Sequence, residues 1–438
     1  MKKLLLIQST PYAPDGSLVK KKRLYFVGLG LPLLAALSPA DWDIQIVLET
    51  IEEIPFDSDA DLVAIGSMGH AVIRSLDIAA EFRRRGKTVV LGGYMVSLMP
   101  EEAQKYADAV VVGDAEAVWP RLLADFEAGK LAPLYQEELL VLDPPPPRFD
   151  LILKKPLGDF LPVQAGRGCP NSCSFCSVFC LYHGRYLKRP IEAVLRDILQ
   201  VKALGFRKFL LLDDNIAADR TYFIALCRQI QPLHMQWFSQ CSIEIAKDAE
   251  LLAAVAASGC IGLSFGLESI SEQSLLDMNK AWAKPAEYAE LLSRIRMAGI
   301  DLSSEMVVGA DGDTLESIRA TAAFIEQNRI VVPRFYILTP IPGTLYHAQL
   351  KKAGRLYKHD MYQYNGSEAV HIPANMSPEE LTEAYWDLYK QVFTLRSIIR
   401  RTLLRRQALL HPLRALFYLS INIFYRWQIK RHITPNII

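Results

Sequence analysis

Cysteine is scarce in this sequence, with seven among 438 residues, too few for a disulfide scaffold at this length. That scarcity fits a reducing cytosol and a cytoplasmic protein. Charge of one sign is not in excess either. With 49 Lys and Arg against 48 Asp and Glu the formal net charge is +1, so nothing global draws nucleic acid and no such partner is expected. The start, Met1 to Gln8, has a basic beginning but an apolar core too short for a signal peptide, and it reads as a first buried strand. The uncharged run Ala415 to Tyr425 is too short to span a bilayer. No G-x-G-x-x-G follows the first apolar run, which weakens a dinucleotide-binding reading.

What is present is concentrated in one stretch, Gly166-Arg167-Gly168-Cys169-Pro170-Asn171-Ser172-Cys173-Ser174-Phe175-Cys176, where three cysteines stand with three and then two residues between them. Three thiolates can hold three irons of a 4Fe-4S cluster, which normally takes four protein ligands, and the fourth iron is then left open. Gly166, Gly168 and Pro170 let the backbone fold around a bulky cube, and Phe175 supplies an apolar wall. The alternative is zinc with Cys180 as fourth ligand, although no second C-x-x-C or paired histidines accompany it.

C-x-x-x-C-x-x-C with an aromatic before its last cysteine resembles the radical SAM superfamily. The resemblance implies that the metal ligands Cys169, Cys173 and Cys176 carry a 4Fe-4S cluster whose open iron chelates S-adenosyl-L-methionine. An electron from the cluster then makes a 5'-deoxyadenosyl radical, which abstracts hydrogen from an unactivated position. A reducing protein such as a flavodoxin or ferredoxin is implied as electron donor.

Length suggests two or three domains, and a composition that is 51% hydrophobic can bury large cores. In residues 1–135, apolar runs at Leu4 to Gln8, Ile44 to Leu48, Leu62 to Ile65, Thr88 to Leu91 and Ala109 to Val112 alternate with amphipathic segments near Phe26 to Leu37, Val72 to Arg85, Pro100 to Tyr106 and Ala117 to Phe126. That predicts an α/β fold opening with a Rossmann-like, doubly wound parallel sheet. Its ligand loops, beyond the carboxyl ends of the strands, include Ser9 to Pro14, Gly66 to His70, Gly92-Gly93 and Gly113 to Glu116. Gly92-Gly93, Met99-Pro100-Glu101-Glu102 and Val112 to Glu116 are similar to the cobalamin-binding domain fused ahead of many radical SAM domains. The resemblance implies cobalamin as a cofactor at Gly92 and Gly93. The D-x-H-x-x-G signature is absent, and Met95 stands where relatives often place a histidine. His70 is expected to cap or face solvent rather than ligate.

Residues 136–160 contain Pro144 to Pro147 and are expected to be a proline-rich linker. Residues 161–345 show repeated strand-helix units, six strands in all, which predicts a partial (β/α)6 barrel with its chemistry at the carboxyl ends of the strands. There stand Asp213-Asp214-Asn215, Ser239, Glu268 and Val308-Gly309. The resemblance implies that Asp213 and Asp214 lie near the methionyl amino group, that Glu268 approaches the ribose, and that adenine packs against Val308 and Gly309 beside Phe175. Ser239 joins them as a cofactor-binding candidate, while Asp313 and Thr314 are expected to cap a helix.

Residues 346–438 read as helical, with Ser377-Pro378-Glu379-Glu380 as a capping box. From Leu388 onward there is no acid, and ten Lys and Arg interleave with apolar residues. Two readings stay open: a basic amphipathic tail in peripheral contact with a membrane, or a helix packed on the barrel. The function this predicts is cobalamin-dependent methylation of an unactivated carbon in a small-molecule or lipid substrate. The rivals are a radical SAM cyclisation or carbon-carbon bond-forming enzyme, and a non-catalytic iron-sulfur or zinc protein.

Overall fold

The protein is described by a computed structural model covering residues 1–435 except 14, 68, 140, 141 and 359–362. Pro14 and Met68, in two of the predicted ligand loops, therefore lie outside the described residues.

The N-terminal sheet has six strands: β1 (Lys3–Gln8), β2 (Asp43–Leu48), β3 (Leu62–Ser67), β4 (Thr88–Gly93), β5 (Ala109–Val112) and β6 (Leu134–Gln136). Their order is β2-β1-β3-β4-β5-β6, and every neighbouring pair is parallel. Leu4 to Ile7 are buried in β1, an interior strand, as an unbroken apolar run requires when helices cover both faces. Those helices are α1 (Gly30–Leu37), α2 (Val72–Arg84), α3 (Tyr94–Leu98), α4 (Pro100–Ala103) and α5 (Trp119–Glu127). The sheet is doubly wound as predicted. Its order reverses between β1 and β3, which is the flavodoxin-like arrangement rather than the dinucleotide one, and agrees with the missing glycine fingerprint. The first helix begins at Gly30 instead of Phe26, whose ring packs edge-on to Phe160 with centroids 5.1 Å apart. Three-residue β6 is too short to carry a period and was not predicted.

After β7 (Phe160–Val163) come β8 (Gly166–Gly168), α6 (Ser177–Tyr182) and β9 (Tyr186–Lys188), with β8 and β9 forming a two-stranded ladder. Strand-helix units follow: α7 (Ile191–Ala203), β10 (Lys208–Leu211), α8 (Arg220–Ile230), β11 (Gln236–Cys241), α9 (Ala249–Ala257), β12 (Cys260–Glu268), α10 (Glu272–Asp277), α11 (Pro285–Met297), β13 (Asp301–Val308), α12 (Leu315–Gln327) and β14 (Val332–Ile337). The second sheet runs β14-β13-β12-β11-β10-β7, a sequential order left open at its ends, as a partial (β/α)6 barrel requires. Thr314 caps α12 through a reciprocal bond pair with Ser317.

Helices α13 (Leu345–Lys352), α14 (Pro378–Val392), α15 (Leu395–Thr402), α16 (Arg406–Leu410) and α17 (Pro412–Ile429) complete the chain, and Ser377 with Glu380 forms the predicted capping box of α14. By compactness the chain divides into residues 1–163 with 187–208, and residues 164–186 with those from 209 onward. The proline run is held in place, since Arg196 donates to the Pro144 carbonyl and Gln200 to that of Pro147, both at 2.9 Å. No described helix is long and apolar enough to cross a membrane.

Candidate active site

The cysteine loop connects β8 to α6, and its path is dictated at both ends. Gly168 takes φ +88°, and a Cβ there would lie 2.2 Å from the Arg185 carbonyl, so only glycine fits. Its N–H donates to Asp214 Oδ2 at 2.7 Å. Further along, Asn279 Nδ2 donates to the Ser172 carbonyl at 2.6 Å, Ser174 N to the Met278 carbonyl at 3.0 Å, and Tyr346 N to the Ser174 carbonyl at 2.9 Å. The loop is thus clamped between the end of α10 and the start of α13.

Cys173 is buried, while Cys169 and Cys176 are half-buried. Each thiol is within electrostatic reach of the other two. Burial pushes the Cys173 thiol up to about 12 and lifts that of Cys176 as well. Asn215 Nδ2 points at the Cys169 sulfur from 3.7 Å while its Oδ1 accepts from Ser242 N at 3.2 Å. Among the described residues no three His, Cys, Asp or Glu side chains converge on a single metal ion. A cube fits better than a lone ion, because it binds its thiolates at separate irons, and its positive charge offsets what burial costs them. Cys180, the fourth ligand of the zinc alternative, donates instead to the Gly343 carbonyl at 3.4 Å.

The other candidates stand at the carboxyl ends of the strands. Asp213 is buried, with Oδ1 accepting from Ala165 N at 2.9 Å and Oδ2 from the Tyr186 hydroxyl at 2.8 Å. Burial pushes its carboxyl up to about 7 despite those bonds. Ser239 is buried and donates to the Leu211 carbonyl at 2.7 Å. Glu268 is held at φ +61°, and Lys280 Nζ donates to its Oε1 at 2.8 Å and to the Gly266 carbonyl at 2.7 Å. Burial pulls the Lys280 ammonium down, but the Glu268 carboxylate beside it raises it above its ordinary value.

At the end of β13, Gly309 takes φ +98°, and a Cβ there would meet Leu381 Cδ2 at 2.5 Å. Gly309 N donates to Asp313 Oδ2 at 2.9 Å, and the Gly309 carbonyl accepts from His371 Nε2 at 2.9 Å. Asp313 also accepts from Ser274 Oγ, bracing this turn rather than capping α12. Phe175 is half-buried on the loop itself, and Val308 is buried.

Asn215 and Lys280 were missed as site residues. Asn215 followed the two aspartates and read as part of the same turn. Lys280 lies in Met278-Asn279-Lys280-Ala281-Trp282, where no periodicity marks it, and only its partner across the fold, Glu268, explains why a lysine is buried there.

In the N-terminal unit the topological reversal lies between the ends of β1 and β3. Ser9 shares a 2.7 Å bond with Ser75, Thr10 N donates to Glu49 Oε2 at 3.0 Å, and Arg74 pairs with buried Glu49 at 2.6 Å. Ser67 Oγ, at the end of β3, is buried without a partner among the described residues. Gly93 has φ +111°, and a Cβ on it would lie 2.3 Å from the Ser67 carbonyl. Gly93 is thus required by the close approach of the β3 backbone, and a Cβ on Gly92 would meet the Val111 side chain at 3.7 Å. His70 sits in the turn Gly69–Ala71, and burial lowers its pKa.

Residues 163–325 match the family described as the Radical SAM superfamily. The chain is 30% identical over 387 residues to a bacteriochlorophyllide d C-12(1)-methyltransferase of Chlorobaculum tepidum, spanning 85% of this chain and 84% of that one. It is 29% identical over 413 residues to the C-8(2)-methyltransferase of the same organism, spanning 89% and 90%. Among solved structures, the radical S-adenosylmethionine methyltransferase TsrM from Kitasatospora setae, with cobalamin and a 4Fe-4S cluster bound, has the same fold at TM-score 0.64 and 18% identity, over 81% of this chain and 75% of that one.

Proposed function

This chain belongs to the radical SAM superfamily, and from that premise we propose that it methylates an unactivated carbon of a small molecule, with a 4Fe-4S cluster, S-adenosyl-L-methionine and cobalamin as cofactors. Cys169, Cys173 and Cys176 are the cluster ligands in this reading. What supports it is one clamped loop, between β8 and α6, whose three thiols lie within electrostatic reach of one another. When bound, the cluster supplies the electron that splits the sulfonium into methionine and a 5'-deoxyadenosyl radical; a flavodoxin or ferredoxin replenishes it.

The chain's own residues hold and aim. Asn215 steadies negative charge on the Cys169 sulfur through its N–H. Both oxygens of Asp213 are occupied, so it positions the strand leading into the loop, and Asp214 fixes Gly168 beside the methionyl end of the ligand. Glu268, held by Lys280, faces the ribose. Gly309, Val308 and Phe175 form the surface against which adenine lies, and Ser239 completes the wall by tying β11 to β10. When bound over Gly92 and Gly93, cobalamin supplies the methyl group. The division of labour follows the predicted domains: residues 1–135 for cobalamin, 136–160 as connection, 161–345 for the radical, and 346–438 as helical cover.

Anaerobic purification with cobalamin supplied tests this. The expected result is about four irons per chain, bound cobalt, and 5'-deoxyadenosine formed on reduction. Alanine at Cys169, Cys173 or Cys176 abolishes both iron and product, whereas Cys180→Ala keeps them. Zinc in place of iron, lost in Cys180→Ala, would favour the closed four-cysteine site, and iron without cobalt would favour the cyclisation or carbon-carbon bond-forming reading.

A further inference from the structure

Helix α17 leaves its larger apolar face outside. It buries Asn422, Tyr425 and Gln428 with only Ala415 and Ile429 as aliphatic companions, while its outward face carries Leu413, Leu416, Phe417, Ile423, Phe424 and Trp427, all exposed. At 100° per residue these six fall within an arc of about 120°. Leu413 is 82% exposed and Phe417 53%. A helix packed on a protein and facing water shows the reverse pattern.

The inward contacts fix this orientation. Asn422 Nδ2 donates to the Val331 carbonyl at 2.9 Å, and Arg401 from α15 donates to Asn422 Oδ1 at 3.1 Å and to the Ile330 carbonyl at 2.8 Å. Arg405 and Arg414 both pair with Asp301 on β13. Rotating the helix to hide its apolar face would break these bonds and leave buried polar groups unpaired.

The apolar face continues onto α16 through Leu409 and Leu410, both exposed. Of the large hydrophobic residues exposed among those described, 11 of 21 lie from Leu395 onward. The surroundings are basic. No Asp or Glu occurs after Asp387, and Arg406, Lys430 and Arg431 are exposed at the two ends of the face, Arg431 lying over the Trp427 ring at 3.9 Å.

We propose that this face is a docking surface for an anionic lipid bilayer, with α17 lying flat in the interface along its length of about 27 Å. Leu, Phe and Trp side chains enter the acyl boundary while Arg406, Lys430 and Arg431 meet headgroup phosphates. A second copy of this chain is the poorer occupant, because its face would bring the same basic rim and repel. The inference is independent of the chemistry at the cysteine loop.

The test is flotation of the full chain with vesicles of phosphatidylcholine alone and of equal parts phosphatidylcholine and phosphatidylglycerol, at low and high salt. The expected result is binding to the anionic vesicles, weakened by salt. The triple variant Leu413→Ser, Phe417→Ser, Phe424→Ser should bind about 10-fold less, a loss of about 1.4 kcal/mol, with its melting temperature and iron content unchanged. The proposal is overturned if the wild type floats with neither vesicle, if the triple variant floats as well as wild type, or if sedimentation shows a dimer that the variant dissolves.

Discussion

Asp213 is a carboxyl buried away from water. Burial raises it to about 7, so between about pH 4, the unfolded value, and pH 7 the native state holds a proton that the unfolded chain has released. The sign follows: stability contributed by this group is greatest at the acid end of that window and falls as pH rises through it, by at most about 4 kcal/mol. Denaturant unfolding of the iron-free protein at pH 5, 6 and 8 should show this slope, and Asp213→Asn should flatten it. A slope that survives the substitution assigns the effect to another group. The family resemblance implied that Asp213, at the end of a strand, lies near the methionyl amino group. That its two oxygens are consumed by Ala165 N and Tyr186 is a matter of folding, since those partners lie 48 and 27 residues away. Lys280 and Asn215 escaped for the same reason: a charge or an amide becomes part of a site only through a partner that the local pattern does not name.

At the scale of elements, strands longer than about four residues were readable from their apolar runs, and most helices from their period and caps. The three-residue strands and the one-turn helices were not, because they are held by neighbours rather than by propensity. Gly93 shows how an element depends on a single position. It closes β4 against β3, and alanine there meets both a left-sided φ and the Ser67 carbonyl. Gly93→Ala should lower the melting temperature of the N-terminal unit, with a cost of about 2 kcal/mol or more, and reduce cobalamin retention. Iron bound at the cysteine loop should stay at its wild-type level. If iron falls in parallel, the glycine acts on the whole chain and not on one sheet.

For the whole molecule, two compact units imply that unfolding need not be a single event. A ligand that binds only a native unit raises the transition of that unit by mass action. Calorimetry of the apo, cluster-loaded and cobalamin-loaded protein should therefore show two transitions, the cluster raising one and cobalamin the other. A single transition moved equally by both would mean that the units melt as one. Residues 144–147 bear on this, because the proline run is hydrogen-bonded to α7 and is not free chain.

By itself the sequence determined the cysteine spacing, the two series of parallel strands and the helical, acid-free end, because each of these is written in contiguous residues whose period or chemistry needs no distant partner. Only the tertiary structure decided which carboxyls are spent on backbone donors, which lysine holds Glu268, and which way α17 turns its apolar side. Those outcomes depend on groups apart in sequence competing for the same hydrogen bonds, and Asn422 of α17, paired with Arg401 of α15, won that competition by facing inward, leaving the leucines and phenylalanines of α17 outside.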